Sequence, residues 1–189
     1  MKRRVLAFCV LMVGLSLLVN GTLAYFTKTD TATNVITTGN VDIEIVETMK
    51  DDRGKEVPFP AEGLSGVMPD TSASKIVRVK NTGSSEAWIR VNVGTVMTSK
   101  DGKSLDASVM GWNHPSDLWA LDKGGQYFYY TKPVAPGEST EALFETVFFA
   151  AEMGNEYQSC TANVIVHAEA VQTAHNGSTV WEAAGWPHP

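Results

Sequence analysis

Along most of the chain, apolar and polar residues alternate with a period of two. In "AWIRVNVGTV", Ala87, Ile89, Val91 and Val93 share one face and Trp88, Arg90 and Asn92 the other, the pattern of a strand with one side buried. The same period predicts strands over residues 40–47, with Val41, Ile43 and Ile45 inward, and over 75–80, 126–131, 141–150 and 162–173. In "LFETVFFA", Leu143 and Val147 oppose Phe144 and Phe148, which predicts a central strand covered on both sides. Glycine-bearing turns separate the runs: "NTGSS" from Asn81, "KDGKS" from Lys100, "DKGG" from Asp122 and "APGES" from Ala135. No apolar stripe at helical spacing competes. Strands in succession without helices predict an all-β fold, a two-sheet antiparallel β-sandwich of jelly-roll or immunoglobulin-like type.

Three segments depart from the alternation. Residues 47–74 are rich in proline, glycine and charge and are expected to form a long surface loop. "SLDASVMGWNHPSDLWAL" is expected to hold one short helical turn after Pro115. The tail "NGSTVWEAAGWPHP" is too aromatic for a spacer, and Trp181 and Trp186 are expected to pack back onto the sandwich.

The first residues follow a different rule. Lys2, Arg3 and Arg4 precede an apolar run over residues 5–19, which is shorter than the roughly 20 residues of a membrane span. Thr22-Leu23-Ala24 then reads small, any, small, as a signal peptidase requires. Residues 1–24 are therefore expected to be a signal peptide, a signal helix cut between Ala24 and Tyr25, leaving residues 25–189 as a single β-sandwich domain. The alternative is an uncleaved N-terminal anchor.

Cleavage changes the composition. It removes three of 15 basic residues and no acid, leaving twelve against 21, a net charge of −9. An acidic chain without a basic cluster argues against nucleic acid or anionic lipid as partner, and contact with the membrane is expected only before cleavage. Cys9 departs with the signal, so Cys160 stays alone and is expected to serve as a small buried hydrophobe. The expected location is secreted, extracellular or cell-surface associated.

Candidate chemistry is sparse. No His-Glu-x-x-His and no Gly-x-Ser-x-Gly occurs, so neither a zinc-peptidase helix nor a nucleophile elbow can be drawn. On residues 162–173, His167 and Glu169 share the polar face, the one local pair able to hold a metal or move a proton; a solvated cross-strand role is the alternative. Asp51, Asp52, Glu56 and Glu62 lack the spacing of a calcium loop. Asn176-Gly177-Ser178 matches a glycosylation acceptor. No catalytic residue and no cofactor is expected.

Read from the cut onward, "GTLAYFTKTDTATNVITTGNVDIEI" resembles the start of the TasA and camelysin family, exported proteins of Gram-positive bacteria. "IVRVKNTGSSEAWIRV", "YYTKPVAPGESTEALFETVFF" and "VIVHAEAVQTA" are similar to core strands of smaller members. The resemblance implies a SipW-type signal peptidase as processing partner and a jelly-roll subunit of an extracellular, biofilm-matrix fibre. It further implies that the freed segment, here residues 25–34 with Tyr25, Phe26, Thr27, Lys28, Thr29 and Asp30, adds as a strand to the next subunit or to a fibre-forming paralogue. Physically this is β-augmentation through a contact that does not close on itself. Two alternatives stand beside it. One is a monomeric surface binding module or adhesin using exposed aromatics such as Trp88, Trp112 and Trp119. The other is a camelysin-like metallopeptidase built on His167 and Glu169.

Overall fold

The computed structural model describes residues 41–60, 68–114 and 116–187 of the chain. The expected signal segment, the cut between Ala24 and Tyr25 and the donor segment through Asp30 lie outside them. The described residues form ten strands in order: β1 (Ile43–Lys50), β2 (Glu56–Pro58), β3 (Thr71–Asn81), β4 (Ala87–Thr98), β5 (Ser104–Leu105), β6 (Met110–Trp112), β7 (Trp119–Leu121), β8 (Phe128–Tyr130), β9 (Phe144–Phe149) and β10 (Thr161–Gln172). They form two antiparallel sheets, β2-β1-β3-β9-β6 and β10-β4-β8-β7, with β5 also paired to β4. The fold is all-β: among the described residues the only helical elements are two single 3-10 turns, Ala107–Val109 and Asn155–Tyr157.

The alternation of β4 builds the second sheet. Ala87, Ile89 and Val91 are buried in the main core, and β10 runs antiparallel beside them in continuous register from Gln172 opposite Ala87 to Thr161 opposite Thr98. Val166, Ala168 and Ala170 thus enter the same core, where they meet Val77, Val79, Phe144 and Val147 of the first sheet. Burying each such Val, Ile or Phe side chain contributes about 1.5–3 kcal/mol. Asn81, though polar, is embedded there and 0% exposed. Its Nδ2 donates to the carbonyls of Ser85 and Val134, both at 2.8 Å, and its Oδ1 accepts from the Gly83 N–H at 3.0 Å. A single amide thereby ties the β3–β4 turn to the loop preceding β9.

Several sequence expectations need correction. Residues 47–74 are not one loop, because β1 continues to Lys50, β2 pairs back onto it and β3 begins at Thr71. The turn between β1 and β2 is closed by Asp51, whose Oδ1 accepts the N–H groups of Arg53 and Lys55. The charge that suggested a loop is a capped hairpin, with Glu56 bonded to Thr48 and paired with Arg78 across it. The expected strand over 126–131 shrinks to β8, since Asp122 Oδ1 takes the N–H groups of Gln126 and Tyr127 away from the ladder. The 3-10 turn at Ala107–Val109 precedes Pro115 rather than following it, and residues 117–118 form a plain turn.

Strand β9 is central, but only one of its faces is fully covered. Its pairing slips: β3 advances from Ser74 to Val77 while β9 steps only from Thr146 to Phe144, the signature of a bulge. Asn113 Oδ1 accepts both N–H groups at the irregularity, from Glu145 at 2.9 Å and Thr146 at 2.8 Å. Leu143, Phe144, Val147 and Phe149 therefore all reach the core, whereas Phe148 is half-exposed. Its ring lies over Gly111 of the neighbouring edge strand, where a Cβ would collide with it. A cross-strand aromatic here covers backbone that glycine leaves bare.

Candidate functional site

The outer face of the second sheet gathers most of the side chains with chemical potential. Register places Glu169 of β10 directly opposite Arg90 of β4, and Tyr129 of β8 on the other side of Arg90. The guanidinium donates from Nε to Glu169 Oε2 at 2.6 Å, from Nη1 to the Tyr129 hydroxyl at 3.1 Å and from Nη2 to the Pro187 carbonyl at 3.2 Å. It also lies 4.1 Å from the Tyr127 ring centroid and 4.7 Å from that of Trp186, within cation–π range. Glu169 is only 1% exposed, and its second oxygen, Oε1, is 3.3 Å from His167 Nε2.

Electrostatics match this geometry. Burial pulls the Arg90 pKa down, but bonds to Tyr129 and Glu169 outweigh it, and the guanidinium is held above its ordinary value. Burial and the nearby Glu169 charge push the Tyr127 phenol up. His167 and Glu169, expected as a candidate pair, do meet, yet the partner that dominates Glu169 is Arg90. Among the described residues, no group of three His, Cys, Asp or Glu side chains is arranged to hold a metal ion. The arrangement favours holding charge in place over transferring it.

The tail covers this pair. Trp88, Val171 and Val180 form a second, smaller core, with Tyr129, Ala183 and Trp186 packed against it. The Asn176 side chain folds the tail: Nδ2 donates to the carbonyls of Gln172 and Ala184, both at 3.0 Å, and Oδ1 accepts from Ala184 N–H at 2.7 Å. The residue that matched a glycosylation acceptor thus spends its amide on structure. Trp186 is seated by its own bond from Nε1 to the Ala183 carbonyl at 3.0 Å. Trp181 stacks at 4.7 Å from Tyr129 yet remains 53% exposed.

The aromatics expected to face a ligand do not. Trp88 and Trp119 are buried, and Trp112 is half-buried against Phe144, its Nε1 without a hydrogen-bond partner among the described residues. Sequence reasoning placed Trp181 against the sandwich and missed that it lines an open cleft. That cleft, about 450 Å³, lies between the β7–β8 turn and the tail and is lined by Leu121, Asp122, Lys123, Tyr129, Trp181 and Trp186, among others. Cys160 packs half-buried against the main core as a free thiol.

The edges of the sheets differ sharply. Strands β2, β6 and β7 span three residues each, whereas β10 spans twelve and pairs, among the described residues, only with β4. Its sequence TANVIVHAEAVQ has no lysine, arginine or proline, and Ile165 is 42% exposed. Short strands, charges and proline are the usual devices that blunt an edge, and β10 uses none beyond Glu169, which faces Arg90. No family model, curated protein or solved structure matches this chain.

Proposed function

We propose that this protein is a secreted structural subunit of an extracellular matrix, assembling by strand addition onto β10. The observation that carries the reading is the long edge itself, which among the described residues pairs only with β4 and is exposed at Thr161, Asn163 and Ile165 in its first half. A strand added there gains main-chain bonds along that exposed half, and Ile165 beside Val96 and Gly94 offers an apolar seat for one side chain. The resemblance of residues 21–45 to the TasA and camelysin family supplies the donor, residues 25–34, released by a SipW-type peptidase after Ala24. Donation from one copy to the next gives a heterologous contact that propagates as a filament.

The test compares chains spanning residues 25–189 and 35–189 by size exclusion and electron microscopy. The longer chain should form filaments and the shorter should remain monomeric. Ile165→Lys, which places a charge on the acceptor edge, should block assembly of the longer chain while leaving its melting unchanged. Monomers from both chains at all concentrations would end this reading.

A further inference from the structure

The cleft beside the tail has features that neither folding nor strand addition explains. Trp181 is fixed at both ends of its short segment, by Val180 buried in the second core and by Glu182, whose Oε2 accepts the Ser178 N–H at 2.9 Å. Its indole nevertheless leaves more than half of its surface in water. The Tyr129 ring beside it meets Trp186 edge-on at 5.7 Å, and Arg90 anchors both from beneath. These contacts hold the platform in place before anything binds, which lowers the ordering entropy lost on binding.

The rim selects the kind of ligand. Asp122 and Lys123 stand side by side on the β7–β8 turn and bring one charge of each sign. Arg90, the nearby additional cation, is consumed by Glu169. A polyanion such as a phosphopolymer finds no excess of positive charge here, and a polycation no excess of negative. The cleft is open and shallow, unlike the enclosing pockets that bury most of a small molecule. What fits is an extended neutral chain with flat apolar faces to lie on indole and phenol rings, and hydroxyl groups for a carboxylate and an ammonium at the rim.

We propose that this cleft binds a neutral polysaccharide, with Trp181, backed by Tyr129, stacking on the C–H face of a pyranose ring and Asp122 and Lys123 bonding its hydroxyl groups. The site is independent of strand addition and faces away from the core. A subunit so equipped links a protein assembly to the glycan around it.

Titration of the purified full chain with hexasaccharides of glucose, N-acetylglucosamine, mannose and galactose, followed by tryptophan fluorescence and calorimetry, tests the site. At least one should bind and shift the emission, and Trp181→Ala should weaken that binding about tenfold or more, as loss of a stacking aromatic does. Lys123→Ala should weaken it several-fold. Because both side chains are peripheral to the core, circular dichroism melts of the variants should overlay the parent. Failure of all four probes at millimolar concentration would overturn the proposal, as would binding that survives Trp181→Ala. A proline-rich decapeptide is run in parallel, and binding of that peptide in place of the sugars would reassign the cleft to protein recognition.

Discussion

Removing the Glu169 carboxylate gives the sharpest test of how the outer layer is held. The Arg90 side chain is 12% exposed and that of Glu169 1%, so solvent screens the pair little. Glu169→Ala strips the guanidinium of its only carboxylate at 2.6 Å among the described residues and leaves a charge under Trp186 with only the Tyr129 hydroxyl and Pro187 carbonyl to receive it. Breaking a buried pair on one side costs about 3–5 kcal/mol, a large share of the roughly 5–15 kcal/mol that keeps a domain folded. At about 2–4 °C per kcal/mol for a domain of this size, the midpoint of unfolding should fall by on the order of 10 °C. The double variant Arg90→Met/Glu169→Leu removes both charges and keeps their volume, so it should recover most of the loss. Urea unfolding followed by circular dichroism measures all three proteins. A single variant within about 1 kcal/mol of the parent, or a double variant no better than the single, would refute a tightly coupled buried pair. Arg90 sits above its ordinary pKa, so its contribution is complete below that value and is lost only as the pH rises through the higher folded one.

Two further predictions follow from the polar contacts of the first sheet. Asn81→Ala should cost about 2–3 kcal/mol in urea unfolding, because it removes from a fully buried position the amide that donates to the Ser85 and Val134 carbonyls; a loss below about 0.5 kcal/mol would mean water substitutes freely. The Glu56 carboxyl is held below its ordinary value by its bond to Arg78 and then by Thr48. Its stabilisation of the β1–β2 hairpin is thus fully present above the ordinary carboxylate value and fades as the pH falls through the lower folded one. Protection of the Val57 amide, which faces Met49 across the hairpin, should fall across that acid window in the parent, and an Arg78→Ala variant should shift the onset to higher pH; identical profiles would exclude the link.

The sequence made the long strands legible because their burial is periodic. Ala87, Ile89 and Val91 fell inward and Arg90 outward as the alternation requires, and β10 followed the same rule with Val166, Ala168 and Ala170. What alternation cannot carry is register. Arg90 and Glu169 each lay on the polar face of its own strand, but only pairing of the two strands sets them opposite one another and under the tail. The bulge between β3 and β9 defeated the pattern differently, since Phe144 and Val147 are three apart yet both buried. Strands of two or three residues are shorter than the period needs to declare itself, so β2, β5, β6 and β7 had no signal. The aromatic tail announced that it would pack, while the cleft it shapes depends on Leu121, Asp122 and Lys123 of a turn far away in the chain.

The contact between Arg90 and the Pro187 carbonyl joins residues 97 positions apart, and that distance has a kinetic meaning. As the chain is made, β4 emerges long before β10, its neighbour over twelve residue pairs, and before the tail that covers Trp88. During that interval one flank of a twelve-residue strand and the outer layer's apolar rings are open to any other chain. Closure must wait for residues that arrive later, and contacts so distant in sequence form slowly. The lateness of the tail therefore sets a period in which this protein is receptive to strands other than its own.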